Sequence, residues 1–190
     1  MKYYIIFGPP GAGKGTQAEP MSLKYNLLHI STGDMLRHEI AAGTPLGKIA
    51  EELIDKGNFV PDQVVEDMLF STFDAAKGVD GFLLDGFPRT LEQAQALEKR
   101  LGKAGERVTA VLSLHIPDEL IYQRIKHRAM LENRADDADD SIIANRIRTY
   151  HQKTEPLIQF YRERGLYHEI SGEGSVTEVS ARIDALVSSL

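Results

Sequence analysis

Five short apolar runs punctuate the chain, at residues 3–7, 27–30, 81–85, 108–116 and 166–170. Apolar side chains follow one another there without strict alternation, as in strands buried on both faces. Longer stretches with apolar residues every three or four positions separate them. Residues 90–103 carry Leu91, Ala94, Leu97 and Leu101 at helical spacing, and residues 141–163 carry Ile143, Ile147, Tyr150, Leu157 and Tyr161. Pro117 followed by Asp118 and Glu119 marks a helix start, and residues 175–188 supply a closing helix. A first helix is expected from about Lys14, with Pro20 removing one of its backbone hydrogen bonds. Strands alternating with helices predict an α/β, three-layer fold around a parallel sheet. Two segments break the rhythm. Residues 31–75 offer only short helical pieces, with turns at Gly43-Thr44-Pro45 and at residues 57–61. Residues 129–140 are polar and acidic.

In such sheets ligands sit beyond the carboxyl ends of the strands. The first run is followed there by Gly8-Pro9-Pro10-Gly11-Ala12-Gly13-Lys14-Gly15-Thr16. A glycine-rich turn opening a helix frees backbone N–H groups, and the helix dipole adds positive potential, so the pair forms a socket for phosphate. Lys14 adds a point charge able to reach the β- and γ-phosphates of a nucleotide. An ordinary glycine-rich turn would not need the lysine or the strand–helix setting. In the general phosphate-loop pattern a magnesium-binding Ser or Thr follows the lysine. Here Gly15 stands in that place and Thr16 comes one residue late, which argues against direct metal ligation by the loop.

Composition narrows the classes. The chain has 190 residues, 42% apolar and 26% charged, enough for one domain with a sizeable core. No apolar run is long enough to span a membrane. Met1 to Tyr4 leads directly into the first strand, so no leader segment is expected, and a cytoplasmic monomer is. A formal net charge of −6 argues against a general nucleic-acid binder. Without cysteine there is no disulfide, thiol nucleophile or cysteine zinc site. Six histidines show no ligand spacing; His29 and His115 fall in strands and read as structural. Asp34 reads as a helix cap. Asp85, at the end of the third strand, is a candidate magnesium residue acting through water.

The loop at residues 8–16, Ser31-Thr32-Gly33-Asp34-Met35-Leu36-Arg37, Asp85-Gly86-Phe87-Pro88-Arg89 running on to Gln93, Pro117 to Arg124, and the stretch from Arg134 to Arg146 together resemble the adenylate kinases. The match runs in order over nearly the whole chain. It implies the family's five-stranded parallel sheet, a core of residues 1–30, 61–128 and 139–190, an AMP-binding flap at 31–60 and a short lid at 129–138. That lid is too short for the zinc-bearing form, so no zinc is expected. The resemblance implies ATP on Gly11, Ala12, Gly13, Lys14, Gly15, Thr16, Arg124, Arg128 and the backbone of Gly174. It implies AMP on Thr32, Arg37, Asn58, Phe59, Val60, Gly86, Phe87, Pro88, Arg89 and Gln93, with Arg134 and Arg146 reaching between the nucleotides. Catalysis would fall to Lys14, Arg89, Arg128, Arg134 and Arg146, with Mg2+ near Asp85, yielding two ADP. Pyrimidine monophosphate kinases tend to carry Ala and Asn where this chain has Thr32 and Gln93. A guanine-reading Asn-Lys-x-Asp tetrapeptide does not occur.

Overall fold

A computed structural model describes residues 1–132 and 139–190. The strands are β1 (Lys2–Phe7), β2 (Leu27–Ser31), β3 (Gly81–Asp85), β4 (Ala110–His115) and β5 (Tyr167–Ser171). All are parallel, in the order β2-β3-β1-β4-β5. The helices are α1 (Lys14–Tyr25), α2 (Thr32–Ala41), α3 (Pro45–Ile54), α4 (Asp62–Ala75), α5 (Leu91–Gly102), α6 (Asp118–Glu132), α7 (Asp140–Thr149), α8 (Leu157–Arg162) and α9 (Val176–Val187). The third strand matches its sequence reading at both ends, and the other four shift by a residue or two.

The two-residue period of a strand divides the core. Tyr3, Ile5 and Phe7 of β1 join Phe82, Leu84 and Val111 in one cluster. Tyr4 and Ile6 join Leu83, Leu112 and Leu114 in another on the opposite face. Both faces are covered, so the sheet is the middle of three layers, as expected. Residues 129–132 continue α6, so the expected lid begins as helix; the rest of it lies outside the described residues.

One long helix does not form. Residues 141–163 split into α7, a π-helical turn (Tyr150–Thr154) and α8. The apolar period alone carries no such break; the local signal is Pro156, which has no N–H to continue the ladder, although Glu155 before it stays helical at φ −57°, ψ −34°. Pro20, by contrast, sits within α1 without ending it.

Residues 32–54 fold as two helices packed at very close range. A Cβ built on Gly47 of α3 would stand 2.1 Å from the carbonyl oxygen of Glu39 in α2. That contact is backbone and cannot rotate away. Gly47→Ala should therefore force α2 and α3 apart and cost about 1–3 kcal/mol. Gly102, near the end of α5, has open space around it, so Gly102→Ala should be neutral or stabilising by up to about 1 kcal/mol. Urea unfolding midpoints of the two variants check the pair.

Candidate active site

The carboxyl ends of β1, β2 and β3 open into one cleft of about 1230 Å³. Register brings its two key loops together: Ile6 of β1 lies opposite Asp85 of β3, and Ser31 of β2 lies on the other side of Asp85.

Helix α1 enters this cleft uncapped. Ser31, Thr44, Thr90, Asp139 and Ser175 cap α2, α3, α5, α7 and α9 with their side chains. The position before α1 is Gly13, at φ 91°, with no side-chain cap and no acid in the first turn. The N–H groups of its first turn lack a side-chain cap and can donate to an anion. A side chain on Gly8 would meet the carbonyl oxygen of Leu114 at 2.6 Å, so β4 holds the loop close.

Lys14 folds back across this loop. Its Nζ donates to the carbonyls of Gly8 at 2.9 Å and Pro9 at 3.0 Å. Burial, together with the charges of Arg89, Arg128 and Arg146, pushes its pKa down from 10.5 to about 8, against the opposing pull of Asp85. The three guanidinium groups are thus close enough to act on one ammonium.

Asp85 is the acid of the cluster. Burial would raise its carboxyl, but His29 and the charges of Lys14 and Arg89 outweigh that and hold it below its ordinary value. The His29 Nε2 lies 3.6 Å from Asp85 Oδ2, beyond hydrogen-bond distance, and has no hydrogen-bond partner among the described residues. A Cβ on Gly15 would lie 3.8 Å from Asp85 Oδ2. The missing side chain leaves open space beside an ionised carboxylate. One carboxylate, with phosphates and water, suits magnesium, which keeps much of its hydration shell.

Arg89 is anchored by its own loop. Its Nε donates to Gly86 O at 2.7 Å, and its guanidinium lies 5.3 Å above the Phe59 ring. Thr32 Oγ1 donates to the same Gly86 oxygen at 2.9 Å. Phe87 turns its ring into the core, where it is 1% exposed, so Gly86, Phe87 and Pro88 present mainly backbone. Gln93 is also buried; Oε1 accepts the Arg89 N–H at 2.7 Å and Nε2 donates to Asp62 at 2.8 Å. Its amide keeps one N–H and one lone pair for a base edge. Arg37 pairs with Asp34, so Asp34 holds an arginine, while Ser31 does the capping.

Arg124 and Arg128 share one face of α6, and both line the cleft. Arg124 also holds two turns together, donating to Gly172 O at 3.0 Å and Ala12 O at 3.4 Å. Arg146 lines the cleft and packs its stem against Gly57, beside Asn58, Phe59 and Val60. Arg148 instead bonds Asn145 at 2.6 Å. Thr16 and Gly174 line the cleft too. Arg134 lies outside the described residues.

Sequence reasoning missed two participants. His29 read as a strand histidine, because nothing local shows that β2 delivers it to Asp85. Arg182 of α9 donates to the carbonyls of Ser171 at 2.9 Å and Glu173 at 2.7 Å, fixing the turn before Gly174. No motif marks it.

The family model described as Adenylate kinase matches residues 6–166. The chain belongs to the adenylate kinase family. It is 44% identical over 186 residues to the adenylate kinase of Flavobacterium psychrophilum and 45% identical over 186 residues to that of Phocaeicola vulgatus, in each case across 98% of both chains. It is 43% identical over 183 residues to the adenylate kinase of Micrococcus luteus, covering 96% of this chain and 89% of that one. The cleft built above therefore belongs to a nucleotide-handling family.

Lys14 gives a direct test of how this adenylate-kinase cleft takes anions. Its folded pKa lies below its unfolded value, so between about pH 8 and 10.5 the unfolded chain binds more protons and stability rises with pH. A triphosphate seated beside Lys14 would add negative charge and lift that pKa. ATP binding at pH 8 should take up about half a proton. Calorimetric titrations in buffers of different ionisation enthalpy measure that uptake, and Lys14→Met should abolish it.

Proposed function

We propose that this chain transfers a phosphoryl group reversibly from MgATP to AMP, giving two ADP and balancing the adenine nucleotide pool. The observation that carries the reading is the convergence of Lys14, Arg89, Arg128 and Arg146 on one cleft beside the uncapped start of α1.

In this reading residues 11–16 cradle the ATP phosphates, with Arg124 and Arg128 above them and the Gly174 backbone at the base. AMP lies beneath the 31–60 insert, its phosphate on Arg37 and Arg89 and its base edge on Gln93. Arg134 and Arg146 reach between the nucleotides, with 129–138 as the lid. Asp85 would hold Mg2+ through water, and the ion would supply neutralisation of phosphate charge.

Phosphoryl transfer asks little covalent work of a protein. It needs in-line placement, neutralisation of charge on the moving group and exclusion of water. Arginine forks grip phosphate oxygens in pairs and stay charged throughout. Lys14 supplies the point charge nearest the loop. No side chain here is needed as a nucleophile, so the transfer is direct from ATP to AMP. The enzyme works as a cytoplasmic monomer, on small nucleotides and without zinc.

The test is a coupled assay offering ATP with AMP, CMP, UMP or GMP. ADP should form with AMP, and far more slowly with the other three. Lys14→Met should stay folded and lose on the order of 10²–10³ in kcat. Equal turnover of CMP, or a folded Lys14→Met with near-parental kcat, would sink the proposal.

A further inference from the structure

We propose that Thr154 is a positioning residue for the acceptor site. Delivered by the π-helical turn, it fixes the main chain of Arg89 and thereby sets the affinity for AMP. The inference rests on the reading that Arg89 meets the acceptor phosphate.

Threonines inside helices commonly turn their hydroxyl onto the carbonyl four residues back. Thr149 does so, bonding Asn145 O at 2.8 Å, and Thr72 bonds Met68 O at 3.0 Å. Thr154 does not. Its carbonyl four residues back belongs to Tyr150, and that oxygen accepts the Glu155 N–H at 2.9 Å, five residues apart. The wider π turn is stabilised by this bond, and the next residue, Pro156, has no N–H to restore the regular ladder. Thr154 falls on the inward face, four residues after Tyr150 and three before Leu157, and is 5% exposed. Its Oγ1 donates to the carbonyl oxygen of Arg89 at 2.8 Å.

Both main-chain polar groups of Arg89 are thus held by side chains from other elements. Gln93 of α5 takes the N–H, and Thr154 takes the C=O. The guanidinium is steered separately by Gly86 O and the Phe59 ring. A fixed backbone leaves the arginine only its side-chain torsions to adjust, so its fork is aimed before the phosphate arrives. Preorganisation of this kind lowers the ordering cost of binding.

Steady-state kinetics and AMP calorimetry on Thr154→Val and Thr154→Ser decide the matter. Valine keeps the shape and removes the donor, and serine keeps the donor. Thr154→Val should raise the KM and Kd for AMP roughly tenfold, the equivalent of one net hydrogen bond, with the KM for ATP nearly unchanged. Thr154→Ser should return AMP affinity to within about threefold of the parent. Parental AMP affinity in Thr154→Val, equal weakening of both substrates, or failure of serine to restore it would each overturn the proposal. Should the valine variant not melt cooperatively, Thr154→Ala compared with Thr154→Ser gives the same reading. Arg89→Ala separates the two layers. If it retains AMP affinity, the assignment of Arg89 fails; if it loses it while Thr154→Val does not, only the role of Thr154 fails.

Discussion

A half-buried ammonium group that shares its cleft with several arginines is the constraint around which this structure is arranged. Lys14 is desolvated, has two carbonyl oxygens as partners, and feels three arginines against one carboxylate. Buried charge is tolerated only when hydrogen-bonded and balanced. Here the hydrogen bonds are present. The close approach of β4 to Gly8 and the bond from Arg124 to Gly172 hold the turns on either side of the loop in place.

Asp85 is the carboxylate that acts on this lysine. Strand register alone places it beside the loop, and its ionised state depends on the cations it balances. The two charges stabilise each other and should be altered together, because removing either leaves the other buried and exposed to a worse field. Gly15 belongs to the same arrangement, since its missing side chain keeps space free on the carboxylate.

Much of this was legible in the amino-acid sequence. The phosphate loop needed only its glycines, Lys14 and the preceding apolar run. Asp85 to Arg89 followed from a strand end and a rigid Gly-Phe-Pro. The sheet was readable because continuous apolar runs have few alternatives. What escaped depends on contacts remote in sequence. His29 gained a role only when β2 paired with β3. Thr154 reaches Arg89 across 65 residues, and Arg182 reaches a turn on the preceding strand's far end. The break at Pro156 was visible, yet the apolar period ran through it, and period outweighed the proline. Arg146, the arginine read from the sequence, is the one that lines the cleft, its stem against Gly57.

The central place of β1 has a consequence for how the chain reaches this state during synthesis. Tyr3 pairs with Phe82, and Tyr4 pairs with Ala110. Neither neighbour exists when β1 leaves the ribosome. At a synthesis rate of roughly 5–20 residues per second, its first partner follows by about 4–16 s and its second later still. For that interval an apolar strand with two open edges waits, and helix α1 can form beside it from local contacts alone. Parallel pairing of distant strands is slow to nucleate. Of the five strands, β1 waits longest for its first partner, because β2 needs only β3 and the other three meet a finished neighbour at once.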